Sequence, residues 1–137
     1  MAKDVIHDMV RNALIKDGWT ITADPYIISY GDDKLYVDLA AERSLAAERD
    51  SRKIAVEIKS FVGRSPLHDF EVALGQYMLY LGLLELTDPE RKLYLAISHL
   101  VYHLLFKQPT FQTIRQRFQI SLLVVNIVTQ EVEQWID

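Results

Sequence analysis

A carboxylate and an ammonium, Glu57 and Lys59, stand two apart in the otherwise apolar run KIAVEIKSF at residues 53–61. The alternation predicts a strand, with Ile54, Val56 and Ile58 on one face and Glu57 and Lys59 on the other. Charges in such a strand are costly unless they are paired or used. Asp38 closes a similar run, after Leu35, Tyr36 and Val37. With the two strands as neighbours, Asp38 lies beside Glu57, and a divalent cation between the carboxylates removes their repulsion. This combination suits phosphodiester cleavage. Oxygen ligands hold Mg²⁺ or Mn²⁺, and the metal polarises the phosphate and lowers the pKa of an attacking water. A nearby lysine stabilises the developing charge or positions the water.

Other candidates are weaker. Gln76 and Tyr80, four apart, share one face of the helix expected after that strand. His99 and His103 have the spacing of a metal-gripping pair, but no third ligand stands near them in sequence, and surface or capping histidines are commoner. His68 falls in the first turn of the long helix and is assigned no role. Arg43, Arg49, Arg52, Lys53 and Arg64 flank the site and suit phosphate contacts. They alternate with Glu42, Glu48 and Asp50, so a solvated loop explains them equally well.

The elements that must position these groups follow from periodicity. Residues 3–17 read as an amphipathic helix, with Val5, Ile6, Met9, Val10, Ala13 and Leu14 on one stripe and Gly18 as its stop. A short alternating segment at 19–22 ends before Pro25. Strands at 26–30 and 34–40 are joined by the turn Gly31-Asp32-Asp33. Residues 41–53, charged and small, read as a loop or short helical excursion before the strand at 53–61. Ser65-Pro66 starts a helix running to about residue 86, where Asp88-Pro89 breaks it. That helix is apolar nearly all round, so it is buried on more than one side; Leu74, Met78 and Leu81 are expected against the sheet or a partner. A strand at 92–98, helices at 99–106 and 110–118, and a final strand at 120–128 complete the chain. The fold class is α/β, a mixed β-sheet flanked by helices in the order α-β-β-β-α-β-α-β, forming one domain over residues 1–137. Strands joined through helices are parallel, and the hairpin adds antiparallel strands at the side of the sheet.

Composition narrows the classes. Half of the 137 residues are hydrophobic, enough for a core without staples. There is no cysteine, which excludes disulfides, thiolate catalysis and cysteine-based zinc or iron–sulfur sites and fits a reducing cytoplasm. The start Met1-Ala2-Lys3-Asp4 carries no signal-like apolar run, and no apolar stretch reaches the roughly 18 residues that span a bilayer. A cytoplasmic chain without membrane contact is expected. The net charge of −4 argues against a protein that coats DNA, but not against a nuclease, whose bound cations reverse the local sign. The apolar excess of residues 70–86 suits a homodimer or partner interface.

The pattern Asp38…Glu57-Ile58-Lys59, in its strand–strand–helix setting, resembles the PD-(D/E)xK nucleases, although Val37 stands where the name has proline. Gln76 and Tyr80 resemble the QxxxY element of the RecB-like and related branches. The resemblance implies a restriction-endonuclease-like core with Asp38, Glu57, Lys59 and Gln76 as catalytic residues and Tyr80 flanking them. It implies Mg²⁺ or Mn²⁺ on Asp38 and Glu57, with an additional acidic ligand from the first helix, a place that Asp8 fills. Over the whole chain the likeness is narrower. The stretches RNALIKDGWTIT (11–22), VDL (37–39), KIAVEIKSFVG (53–63), ALGQY (73–77), LYLA (93–96) and QWI (134–136) look like the XisH family, the cyanobacterial fdxN-element excision controlling factors. That resemblance implies a role in programmed DNA excision during heterocyst differentiation, with DNA, an XisI-type protein and a site-specific recombinase as partners. Two functions are therefore expected in competition. One is a Mg²⁺- or Mn²⁺-dependent endonuclease of element excision; the other is a catalytically inactive accessory protein that binds a partner protein and supports the recombinase.

Overall fold

Alternation along β5 (Ser51–Ile58) divides the molecule into two layers of core. In the computed structural model, which describes residues 4–44 and 51–137, Ile54, Val56 and Ile58 point to one side. There they pack with Val10 and Leu14 of α1 (His7–Lys16) and with Trp19. Ala55 points to the other side, against Phe70, Ala73, Tyr77 and Leu84 of α2 (Pro66–Thr87). Both faces of the strand are thus covered by a helix, as its near-continuous apolar run requires. Arg49, Glu48 and Asp50 lie outside the described residues, as does residue 3, where the sequence places the start of the first helix.

The main sheet has six strands in the order β1-β4-β5-β6-β7-β8. These are β1 (Thr20–Ala23), β4 (Leu39–Ser44), β5, β6 (Arg91–Ser98), β7 (Leu122–Asn126) and β8 (Glu131–Ile136). The pairs β5–β6 and β6–β7 are parallel, as expected for strands connected through helices. The flanking pairs β1–β4, β4–β5 and β7–β8 are antiparallel. The result is a mixed α/β fold with an open mixed sheet flanked by helices. α3 (His99–Leu104) and α4 (Pro109–Arg117) connect β6 to β7. Ser65 caps α2, its Oγ accepting from the His68 N–H at 3.1 Å, with Pro66 in the first turn. No helix among the described residues is long and apolar enough to cross a membrane.

Three expectations are corrected. Residues 41–44 and 51–53 are strand rather than loop, because β4 lies inside the sheet. There pairing and burial of Leu39, Ala40 and Ala41 outweigh the poor strand preference of alanine and glutamate. The hairpin of β2 (Tyr26–Tyr30) and β3 (Asp33–Val37) exists, but it forms a separate two-stranded sheet and does not extend the main one. Its inner residues Ile28 and Val37 pack into the α2 layer. The strand expected at 120–128 is not the last. The chain turns after Asn126 and returns as β8, whose glutamates hid it from a hydrophobic reading. Met78, expected against the sheet or a partner, is not on the sheet face: it is 46 % exposed in the single chain.

Candidate active site

β3 ends at Val37 and β4 begins at Leu39, which pairs with Val56. Asp38, the residue between, is therefore delivered beside the end of β5. Its Oδ2 accepts from the Ile58 N–H at 2.8 Å, and its own N–H donates to Glu57 Oε1 at 3.4 Å. Lys59 follows directly, its backbone N–H continuing the parallel pairing by donating to Ala96 O at 3.1 Å. The Lys59 Nζ stands 3.7 Å from Glu57 Oε2. Phe61 then takes a left-handed conformation (φ 55°) that a non-glycine residue adopts at a cost. Its ring is held 5.6 Å from Phe106 and 6.4 Å from Phe111. That anchor fixes the backbone just beyond Lys59.

These groups form the floor of a cleft of about 380 Å³. α2 contributes Gln76 and Tyr80, β3 contributes Lys34, Leu35 and Tyr36, and Asp4 comes from the segment ahead of α1. Glu57 is buried, at 4 % exposure. Burial pushes its carboxyl up to about 8; the neighbouring Asp38 charge and a hydrogen bond shared with Asp38 add to the rise, and Lys59 opposes it. Tyr80 is pushed up to about 12 by burial and by the same two carboxylates. Gln76 Oε1 is buried with no hydrogen-bond partner, an uncommon state for such an acceptor.

The sequence-derived residues Asp38, Glu57, Lys59, Gln76 and Tyr80 all line this one cleft. Asp8 does not: it is exposed on α1, away from the cleft lining. Asp4 lines it instead, with Oδ1 accepting from the Ile6 N–H at 3.1 Å and Oδ2 from the Ser60 N–H at 3.1 Å. The sequence places it inside the first helix, which begins only at His7, so Asp4 stands in the turn ahead of it. Among the described residues, no three histidine, aspartate or glutamate side chains converge as a ready metal-ligand set. His99 Nδ1 accepts from the Ile127 N–H at 3.4 Å, and His103 packs against Tyr102. Arg43 pairs with Asp17 at 3.6 Å. Arg52 and Lys53 line a different hollow, at the other end of β5, and Arg64 lies exposed in the loop before α2.

Comparison with known proteins agrees with this fold. The family model described as XisH protein matches residues 1–133. A crystal structure of an XisH family protein from Nostoc punctiforme superposes with a TM-score of 0.89 at 39 % identity, covering 98 % of this chain and all of that one. An fdxN element excision controlling factor protein from Anabaena variabilis gives a TM-score of 0.88 at 40 % identity, with the same coverage. No curated protein matches the chain. With nearly the whole length matched by the family model and by both structures, the chain belongs to the XisH family.

Proposed function

We propose that this chain is a metal-dependent DNA endonuclease of the PD-(D/E)xK kind, built on a restriction-endonuclease-like core and acting in the excision of a DNA element. The observation that carries the reading is the half-buried Asp38 set against the buried Glu57, with Lys59 beside them at a strand end and Glu57 raised to about 8. Two adjoining carboxylates in a partly desolvated cleft are unfavourable without a cation and suited to one. The donor set fits Mg²⁺ or Mn²⁺. Asp38 and Glu57 supply carboxylate oxygens, and the Ile58 carbonyl lies on the same side of the strand as the N–H that meets Asp38. Waters complete the shell of such hard cations. A cation held there would polarise the phosphate and lower the pKa of water.

The chain's own residues do the rest. Lys59 stabilises negative charge developing on the phosphate. Gln76 offers its unpartnered Oε1 as an acceptor that orients the attacking water. Tyr80 keeps its proton at physiological pH and can donate it in a hydrogen bond. The relative from Anabaena variabilis is an fdxN element excision controlling factor, and a role in DNA excision, beside a recombinase and an XisI-type partner, extends that to this chain.

A cleavage assay with Mg²⁺ and Mn²⁺ on branched, single-stranded and duplex DNA tests the reading. Metal-dependent cutting that Glu57→Ala abolishes is expected. Intact DNA in all three forms, with folded wild-type protein, would overturn it. The accessory-protein reading is favoured by a different observation, the apolar hollow between α2 and α4 lined by Leu67, Leu74, Met78, Ile114 and Phe118.

A further inference from the structure

We infer that the cleft takes unpaired DNA, with one nucleobase stacked on Tyr36 and the adjoining phosphate held by Lys34. This rests on the reading of the cleft as a phosphodiester-cleaving site, and it names the form of DNA that site accepts.

The argument starts from the hairpin. In the β2–β3 pairing, Ile28 faces Leu35 and Tyr26 faces Val37 on the inner side, packed on α2. The outer side carries the other pairs, Tyr36 with Ile27 and Lys34 with Ser29. These outer residues are exposed, Tyr36 at 40 % and Ile27 at 49 %. An exposed aromatic ring braced by an isoleucine makes no fold-stabilising use of its outer surface. Both Tyr36 and Lys34 line the cleft whose floor holds Glu57 and Lys59. A flat ring and an ammonium on one strand face, two residues apart, match the base and phosphate of a single nucleotide. Stacking of this kind tolerates any base, because every base has a π-face.

Charge and size select against an intact duplex. Duplex binding draws on a broad track of lysine and arginine along the phosphates. The cations lining this cleft are Lys34 and Lys59, against Asp4, Asp38 and Glu57. Lys59 already faces Glu57, and Arg52 and Lys53 lie at the far end of β5. The cleft volume of about 380 Å³ is on the scale of a small-molecule site. A second hollow of about 200 Å³ shares Asp4 and Lys59 with it and leads past Ser60 towards His68. One strand, laid from Tyr36 across Lys59 into that hollow, follows a continuous path.

Fluorescence anisotropy with labelled oligothymidylate and a labelled duplex of equal length, in Ca²⁺, tests this. Single-stranded DNA should bind wild type about ten-fold tighter than duplex, and Tyr36→Leu should lose about ten-fold on the single strand while Tyr36→Phe stays within about two-fold. Lys34→Ala should lower the slope of log affinity against log salt by about 0.7 on single-stranded DNA. Tyr36→Leu keeps a β-compatible apolar side chain, and an unchanged melting temperature certifies its fold. Duplex bound as tightly as single strand, no binding to either, or Tyr36→Leu binding like wild type would each overturn the inference. Ring-dependent binding without any cleavage would remove the nuclease reading and leave this one standing. Duplex cleavage indifferent to Tyr36→Leu would do the reverse.

Discussion

Glu57 is the residue on which the proposed chemistry turns, and its surroundings make it measurable. Asp38 faces it from the β3–β4 junction, Lys59 from its own strand and Tyr80 from α2, while Asp4 and Gln76 line the same cleft. Its carboxyl is raised from 4.5 to about 8 in the fold, so the folded state holds the protonated form more tightly than the unfolded chain does. The stabilisation is complete below about pH 4.5 and is lost as the pH rises through about 8. In metal-free protein, Glu57→Gln should melt close to wild type at pH 5 and several degrees above it at pH 8, as followed by circular dichroism. Equal melting at both pH values would show that Glu57 is relieved by its neighbours. Glu57, Lys59 and Asp38 were legible in the sequence because a strand's period of two makes a charge on an apolar run conspicuous. Asp4 was not, because its carboxylate accepts from the Ile6 and Ser60 N–H groups in a turn that reads in the sequence as the first turn of the helix.

At the scale of elements, α2 is the part that joins core and site. One of its faces sends Gln76 and Tyr80 to the cleft, and the adjoining positions Phe70, Ala73, Tyr77 and Leu84 go to the sheet. Tyr77 does more than fill space. Its hydroxyl donates to Leu93 O at 3.3 Å and accepts from the Ser121 N–H at 3.1 Å, linking α2 to β6 and to the start of β7. Tyr77→Phe leaves a buried N–H unsatisfied and should cost about 1–3 kcal/mol in denaturant unfolding. Phe70 stacks on Phe111 at 4.5 Å and meets Phe106 edge-on at 5.4 Å. Phe70→Ala should cost about 3–5 kcal/mol and loosen α4, which amide exchange would report. The length of α2 was legible from its cap and its breaker. Its sheet-facing side was not, since a helix apolar all round offers no stripe to read, and Met78 does not lie on it. β4 and β8 were hidden by alanines and glutamates that take strand geometry only because partners on the sheet supply the hydrogen bonds.

For the whole molecule, metal and stability should be linked. An ion that binds the folded state alone stabilises it by mass action, so Mn²⁺ at about ten times its Kd should raise Tm by a few degrees. Asp38→Asn keeps an oxygen for the Ile58 N–H and removes a charge from beside Glu57. It should abolish the response to Mn²⁺ and leave the metal-free protein as stable as wild type or slightly more so. A flat titration with a destabilised mutant would mark the cluster as structural and move the function to the accessory reading. The parallel pairing of the central strands was legible from alternating strand and helix patterns. That the hairpin stands as a sheet of its own was not, because one residue suffices to change sheets and nothing in its type announces it.

That residue is Asp38, and its place ties the hairpin to the site. β2 and β3 leave the main sheet at Asp24 and return to it at Asp38. The first junction is bolted to α1, where Asp24 Oδ1 meets His7 Nε2 at 2.9 Å and Oδ2 accepts from Arg11 at 2.6 Å. The second is tied to β5 through the bond from the Ile58 N–H. With both junctions tied and its inner face packed on α2, the hairpin is held at each end, and the carboxylate that ties its second junction is itself part of the cleft wall.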